Sequence, residues 1–329
     1  MVSPYPERSR ARDRWVLAQR KNARPAARSE LDPRLPHAFL MEEERSESGR
    51  AAAVATVFLT NRECPWRCLF CDLWRNTLTE TTPPGAIPAQ VDYALARLPS
   101  ARQVKLYNSG SFFDPKAIPP DDREAVAGRL RAFERVIVEC HPALVDESCL
   151  RFRDLLNGQR EVRLEVAMGL ETAHPEVGPR LNKRMPLDMF ARSAAFLGRN
   201  DIALRAFILV KPPFMDEAEA LHWAERSLDF AFDCGAAVAV LVPTRPGNGA
   251  LEALAARGAF SPPRLTTLEA ATAYGVGLRR GRVFADLWDL EQFATCPRCL
   301  AARAARLREM NLRQTVPPLR PCQSCGEGF

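Results

Sequence analysis

The chain has 329 residues, 47% of them hydrophobic and 26% charged, with a net charge of +6. That length supports one large α/β domain with a smaller appendage, and the mild basic excess does not by itself establish a nucleic-acid partner. No run of about 18 apolar residues is present, which argues against a membrane span, and the N-terminus lacks an apolar secretory core, so a cytoplasmic protein is expected.

Residues 1–50 form a basic N-terminal extension in which Arg8, Arg10, Arg12, Arg14, Arg20, Lys21, Arg24 and Arg28 crowd together. Such a stretch reads as a solvated arm or a short helix wrapping the core, with an arm that touches a polyanion as the sharper alternative. Apolar runs follow at Val54–Leu59, Val104–Tyr107, Val136–Val138, Val162–Leu170, Leu204–Val210 and Ala236–Val242. They are nearly continuous, as expected of strands covered on both faces. Between them, Leu187, Phe190, Ala194 and Leu197 step by three and four residues, as do Leu221, Ala224, Leu228 and Ala231. That spacing predicts helices. Strand and helix alternating six times predict parallel strands with crossover helices over residues 51–260. A partial (β/α)6 barrel fits best and an open doubly wound sheet is the alternative. In both, chemistry belongs at the C-terminal ends of the strands. The pattern lapses at Gly258, Pro262 and Pro263, and residues 261–329 read as a separate four-cysteine region.

Seven of the ten cysteines fall into three short clusters, which suits metal binding in a reducing compartment. Cys140, Cys149 and Cys234 are isolated and read as small buried residues. The first cluster, Asn61-Arg62-Glu63-Cys64-Pro65-Trp66-Arg67-Cys68-Leu69-Phe70-Cys71, directly follows the first apolar run. Three thiolates can hold three corners of an iron–sulfur cube, whereas an ordinary electron-transfer cluster takes four. One iron would stay open to a small chelating ligand, and the amino and carboxylate groups of S-adenosylmethionine (SAM) are such a ligand. A zinc loop, or a cluster with a distant fourth ligand, is the alternative.

CxxxCxxC after the first strand of a repeated β/α sheet, with an aromatic residue just before the third cysteine, resembles the radical SAM superfamily. The resemblance implies a 4Fe-4S cluster on Cys64, Cys68 and Cys71, SAM as cofactor, and Phe70 packed near the adenine. It implies contacts to the SAM amino group from the second strand end, here Asn108, Ser109, Gly110 and Ser111 in place of two adjacent glycines. It further implies that Glu171, in Met168-Gly169-Leu170-Glu171-Thr172, accepts hydrogen bonds from the ribose hydroxyls. Arg205 and Lys211 bracket the fifth strand, and either suits the SAM carboxylate or a structural role. Asp114, Glu139 and His141 stand at strand ends and are candidate substrate contacts. His141 before Pro142 also suits a turn.

Cys296-Pro297-Arg298-Cys299 and Cys322-Gln323-Ser324-Cys325 form two CxxC pairs. Four thiolates so spaced match a tetrahedral zinc site, with a second iron–sulfur cluster or redox pairs as alternatives. From Arg298 to Arg320 six arginines face one acid, Glu309. They form either a solvated helix face or a clamp for a phosphate backbone.

Thr60-Asn61-Arg62-Glu63-Cys64-Pro65, Leu73-Trp74, Lys105-Leu106-Tyr107-Asn108-Ser109-Gly110, Gly169-Leu170-Glu171-Thr172 and Pro243-Thr244-Arg245 resemble the radical SAM subgroup that contains the elongator catalytic subunit. Within it they are most similar to the radical subunit of archaeosine synthase and its bacterial look-alikes. The resemblance implies radical modification of a tRNA nucleoside by carbon–nitrogen bond cleavage. It also implies a ferredoxin or flavodoxin as electron donor and a partner enzyme of the archaeosine pathway. The alternatives are a radical SAM enzyme acting on a small metabolite or peptide, and a non-enzymatic iron–sulfur or zinc regulator that binds nucleic acid.

Overall fold

The computed structural model describes residues 5–23, 29–158 and 160–328, so Arg24 and Arg28 of the basic arm lie outside the described residues. One eight-stranded sheet runs through the chain in sequence order. Its strands are β1 (Ala38–Arg45), β2 (Ala51–Phe58), β3 (Gln103–Tyr107), β4 (Arg135–Glu139), β5 (Arg163–Glu171), β6 (Ala203–Val210), β7 (Val238–Pro243) and β8 (Arg282–Ala285). β1 and β2 pair antiparallel as a hairpin, and every later neighbour is parallel.

The helices are α1 (Ser9–Gln19), α2 (Ala86–Leu95), α3 (Pro120–Leu130), α4 (Glu147–Leu156), α5 (Val177–Arg180), α6 (Leu187–Arg199), α7 (Glu217–Asp233), α8 (Ala250–Ala255), α9 (Leu265–Leu278) and α10 (Leu300–Arg313). The crossover helices turn their apolar stripe onto the sheet: Phe190, Ala194 and Leu197 of α6 are buried, as are Ala224, Leu228 and Ala231 of α7. α7 starts on a capping box, with the Glu219 N–H donating to the Asp216 carboxylate, which satisfies an amide the first turn leaves unpaired.

The six apolar runs are β2 to β7, and the sheet is the partial α/β barrel their alternation predicts. Two strands lie outside that repeat. β1 belongs to the stretch read as an N-terminal extension, and β8 to the stretch read as a separate C-terminal region. Residues 261–329 share the main core, since Leu268 and Ala271 of α9 and Leu307 and Met310 of α10 are buried in its apolar cluster.

The curl of the sheet shows in side chains that meet across its inner face. Lys105 of β3 donates to Glu42 and Glu44 of β1 at 2.7 and 2.5 Å. Glu165 of β5 accepts from Arg205 of β6 at 2.6 Å and from Arg135 of β4 at 3.1 Å. Acids and bases alternate around this interior, so each buried charge has an opposite neighbour. At the seam, Arg45 of β1 donates to the Leu312 carbonyl of α10 at 3.1 Å. On the other side Asn311 accepts from the Ala285 N–H and donates to its carbonyl, both at 2.8 Å. Gln314 does the same for Val283, at 2.7 Å each way. Two side-chain amides thus satisfy the outer edge of β8.

α1 is held down rather than solvated. Trp15 and Val16 are buried with Leu69, Leu251, Leu254 and Phe260. Arg20 pairs with Glu63 at 2.8 Å and lies over the Trp74 ring. Arg8, Arg10, Arg14 and Lys21 remain exposed.

Candidate active site

The loop that carries Cys64, Cys68 and Cys71 leaves the C-terminal end of β2 and is pinned on every side. Gln90 of α2, fully buried, accepts from the Thr60 N–H at 2.8 Å and donates to the Thr60 carbonyl at 2.7 Å. The Leu69 N–H donates to the Leu181 carbonyl at 2.9 Å. Asn182 donates to the Arg67 carbonyl at 2.8 Å, and Asn248 to the Leu69 carbonyl at 2.7 Å. Trp66 stacks on His141 with ring centroids 3.7 Å apart and planes at 10°. The ends of β4, β5 and β7 therefore hold one loop.

The three thiols sit half-buried in this loop. Burial, and then neighbouring negative charge, pushes Cys64 up to about 11, Cys71 to about 12 and Cys68 well above a free thiol. The Cys71 and Cys64 thiols both push Cys68 further up. Lys183 acts in the opposite direction on Cys64 and Cys68. A bound cation supplies the charge that turns such thiols into thiolates. The next cysteine in sequence, Cys140, is turned away: its thiol donates to the His141 carbonyl at 3.2 Å and accepts from Ser111 at 3.4 Å.

Asn108 and Ser109 follow β3, and both backbone N–H groups donate to Glu139 at the end of β4. The Asn108 side chain is fully buried, and neither its Oδ1 nor its Nδ2 has a hydrogen-bond partner. An orphaned buried amide is costly unless a ligand completes it. A Cβ on Gly110 would stand 3.3 Å from the Cys64 Cβ, so glycine brings this strand end against the cysteine loop. Ser111 is buried and donates to the Cys140 sulfur at 3.4 Å.

Glu171 adopts φ of +65° after an irregularity in β5. Its carboxylate folds back beside Gly169 and accepts from Lys183 at 2.5 Å, and the same ammonium donates to the Gly169 carbonyl at 2.6 Å. A Cβ on Gly169 would fall 2.0 Å from the Glu171 carboxylate and 2.1 Å from the Lys183 nitrogen. Ser109, Glu171 and Lys211 all take left-handed backbone at strand ends. Strain of this kind gathers where a fold presents ligand-binding groups. A cavity of about 560 Å³ opens beside Glu171 and Lys183, lined further by Leu181, Asn182 and Met185.

Not every expected residue reaches this mouth. Arg205 is fully buried on the inner face of the barrel and donates to Glu44 and Glu165, so it is committed to the interior ion network and not to a cofactor carboxylate. Its place near the start of β6, not at the end, is the reason. Lys211 does stand at the end of β6 but binds Glu217 at 2.9 Å and Ser261 at 2.7 Å. His141 uses both ring nitrogens: Nδ1 accepts from the Ala143 N–H and Nε2 donates to the Lys183 carbonyl, each at 3.1 Å. Burial, reinforced by Lys183, lowers it to about 3, so it is a neutral support for Trp66. Asp114 is half-buried, caps a turn through the Lys116 N–H at 2.9 Å, and acts on Cys64. Glu139 stays near the mouth, where burial raises its carboxyl to about 7 against the pull of its two N–H donors. Phe70 bridges the apolar patch around Trp15 to the one around Leu209. Lys183, Asn182 and Gln90 escaped the sequence reading, because lone polar residues between elements carry no periodic signal.

At the far end, the thiols of Cys296, Cys299, Cys322 and Cys325 lie within 4.8 Å of one another, a group that could hold a metal ion. Arg303 of α10 donates to the Cys299 sulfur at 3.2 Å and to Glu269 of α9 and Glu327. Arg306 is buried beside Glu269 as well. Two of the six arginines in this stretch are therefore structural and cannot serve a phosphate clamp.

No protein-family model matches the chain. An uncharacterized protein of Methanocaldococcus jannaschii is 24% identical over 255 residues, covering 72% of this chain and 68% of that protein. Archaeosine synthase subunit beta of Methanosarcina acetivorans is 24% identical over 231 residues, covering 67% of this chain and 66% of that subunit. The match thus spans about two thirds of the length of these relatives. The crystal structure of methylornithine synthase matches at a TM-score of 0.55 and 13% identity, over 97% of this chain and 80% of that one, which is a likeness of fold. Relatives named archaeosine synthase subunit beta, together with this fold and three cysteines in the loop at its mouth, support an assignment to the radical SAM superfamily near archaeosine synthase.

Proposed function

We propose that the chain reductively cleaves SAM at a 4Fe-4S cluster on Cys64, Cys68 and Cys71 and uses the resulting radical to modify a nucleoside in tRNA. The observation that carries this reading is a buried Asn108 amide without a partner, at a strand end that Gly110 brings against Cys64 in the loop of three cysteines. When bound, the reduced cluster supplies the electron that splits the sulfonium into methionine and a 5′-deoxyadenosyl radical. The protein's own residues bind, orient and exclude water. Asn108 offers one acceptor and two donors to the methionine end of the cofactor, with Gly110 keeping the backbone close. Glu171 accepts from a diol while Lys183 fixes its rotamer. Phe70 offers an apolar face, and Glu139 holds the β3 end in place through two N–H groups.

The relatives named archaeosine synthase subunit beta support a tRNA substrate and a second enzyme of that pathway as partner, and the reading takes the reaction as carbon–nitrogen bond cleavage with a ferredoxin or flavodoxin as electron donor. Among the described residues no helix is long and apolar enough to cross a membrane, and thiols in this number suit a reducing cytoplasm. For the C-terminal thiols we favour zinc. One tetrahedral ion with bonds of about 2.3 Å spaces its sulfurs at about 3.8 Å, and thiols on four different irons of a cube stand further apart.

Anaerobic reconstitution, reduction with dithionite and addition of SAM test the chemistry. Wild type is expected to release 5′-deoxyadenosine, and equal release by Cys68→Ala refutes the cluster assignment. Nucleoside mass spectrometry of tRNA from a deletion strain then tests the substrate. An unchanged profile would point to a small metabolite or peptide.

A further inference from the structure

α1 lies against the loops that leave β2, β5 and β7. The stretch around its start is tied to α5. The Tyr5 hydroxyl donates to the Arg180 carbonyl at 2.6 Å, and Arg12 donates to the Pro179 carbonyl at 2.5 Å. Its end is seated against Gly249, where a Cβ would stand 2.2 Å from the Gln19 carbonyl oxygen and 2.8 Å from the Ala23 nitrogen. Gly249 has φ of +85°, so glycine serves both the backbone conformation and the close approach. The neighbouring Asn248 is the residue that holds the Leu69 carbonyl of the cysteine loop.

Between these ends, two charged side chains reach one residue of the cysteine loop, Arg67, by separate routes. Asp13, the one acid in α1, accepts from Asn182 Nδ2 at 2.9 Å, and the same Nδ2 donates to the Arg67 carbonyl at 2.8 Å. Both hydrogens of that amide are committed, which fixes the Asn182 side chain. Asn182 is itself 1% exposed, on a left-handed backbone with φ of +58°. Arg20, the C-cap of α1, pairs with Glu63 at 2.8 Å, and Glu63 pairs with Arg67 at 3.2 Å. Asp13 and Arg20 are seven residues apart, about two helical turns, and so share a face. The Arg67 guanidinium donates in turn to the Cys64 carbonyl. Arg67 is thus held by its carbonyl on one route and its guanidinium on the other, and it closes the segment between Cys64 and Cys68.

We propose that α1 sets the separation of Cys64 and Cys68 through Arg67, with Asp13 and Arg20 as positioning residues of the cluster site. The inference rests on the cluster reading of the three cysteines and extends that site to a helix that precedes the first strand. A loop that must bring three thiolates to one cluster loses backbone freedom when it does so. Ties that fix the loop beforehand lower that cost at the moment of binding. Groups that orient metal ligands from outside the ligand set change metal affinity by about 10- to 100-fold when removed. Asp13 acts two bonds away from the loop, through the Asn182 amide, and Arg20 acts through Glu63.

The test is release of iron to a ferrous chelator, under argon, from the anaerobically reconstituted full chain. Asp13→Ala and Arg20→Gln are each expected to release iron about tenfold faster than wild type. Asp13→Asn keeps an oxygen that accepts from Asn182 and should restore most of the retention. Arg184→Gln removes the other partner of Asp13 and should release iron at the wild-type rate. The electron paramagnetic resonance spectrum of the reduced cluster should change in Asp13→Ala and stay unchanged in Arg184→Gln. Trp15 and Val16 keep α1 seated in its apolar patch, so matching melting curves separate a misplaced loop from a lost fold. If wild type takes up no iron, the cluster reading itself fails, and this role with it. If wild type holds iron and Asp13→Ala releases it no faster, the cluster reading stands and the positioning role is overturned. Equally fast release from Arg184→Gln would overturn the route through Asn182.

Discussion

Glu44 and Arg205 meet across the barrel interior, the guanidinium donating to both carboxylate oxygens at 3.0 and 2.8 Å. One residue is on the first strand and the other on the sixth, so the pair joins the antiparallel hairpin to the parallel repeat. Burial opposes the Glu44 carboxylate, but Arg205 and Lys105 outweigh it and hold the group well below the ordinary carboxylate range. Glu44→Gln leaves Arg205 and Lys105 short of a buried counter-charge and should cost about 3–5 kcal/mol in urea unfolding. The sign in pH follows from the depressed value. Stability from Glu44 is present above its unfolded pKa and is lost as pH falls through the folded one. The wild type should therefore lose more stability than the variant on acidification below about pH 4.

Glu139 responds in the opposite sense. Burial raises its carboxyl to about 7, so the folded state holds the proton more tightly than the unfolded chain. The stabilisation linked to that proton is present at acid pH and is lost as pH rises through about 7. Glu139→Gln should flatten the stability profile between pH 5 and pH 8. A variant as pH-dependent as the wild type over that range would assign the titration to another group.

Trp66 and His141 predict how the cysteine loop is supported. His141→Ala removes the stacked ring under Trp66 and should lower both the iron retained after reconstitution and 5′-deoxyadenosine release, by about tenfold. His141→Phe keeps a ring face and should recover most of it. Since His141 is already neutral above about pH 3, neither variant should shift the pH profile of activity between pH 6 and 8.

Gly169→Ala probes the Glu171–Lys183 pair. The new methyl would occupy the positions of the two charged ends. Both lie at the tips of flexible side chains, so the fold should survive while the pair is displaced. Equilibrium binding of SAM to the reconstituted protein should weaken about tenfold or more, with circular dichroism unchanged.

The C-terminal thiols predict a long-range effect on the sheet. Arg303 joins Cys299 to α9, and the same helix reaches β8 through Asn311 and Gln314. Cys322→Ser, or removal of the metal by a chelator, should speed hydrogen exchange at the Val283 and Ala285 amides. One equivalent of zinc by elemental analysis is expected before chelation. Unchanged exchange at those two amides would disconnect the metal from the seam.

The middle of the fold was legible in the sequence for a physical reason: strands buried on both faces leave continuous apolar runs, and β2 to β7 do. β1 was hidden because Glu42 and Glu44 read as a solvated stretch until Lys105 and Arg205 supply their partners. β8 was hidden by its four-residue length and by its leading Arg282. Cys64, Cys68 and Cys71 stand out in the sequence by their spacing together with their place directly after the first apolar run. Arg205 was misplaced at the cofactor because a cation inside an apolar strand looks functional, and its inward partners come from strands far away in sequence. Lys183 was invisible because its role depends on the positive φ of Glu171 and on the missing side chain of Gly169.

The amides of Asn311 and Gln314 have one more consequence. A sheet that ends in β8 would offer a row of free N–H and C=O groups to any extended segment, including the same strand of another copy. Natural edges are often defended by a lysine or a proline on the strand itself, and Arg282-Val283-Phe284-Ala285 has neither. The defence is borrowed from a helix that begins beside Cys299, and so from the state of the thiols. If oxidation of those thiols displaced α10, the backbone groups of Val283 and Ala285 would be left open to such pairing.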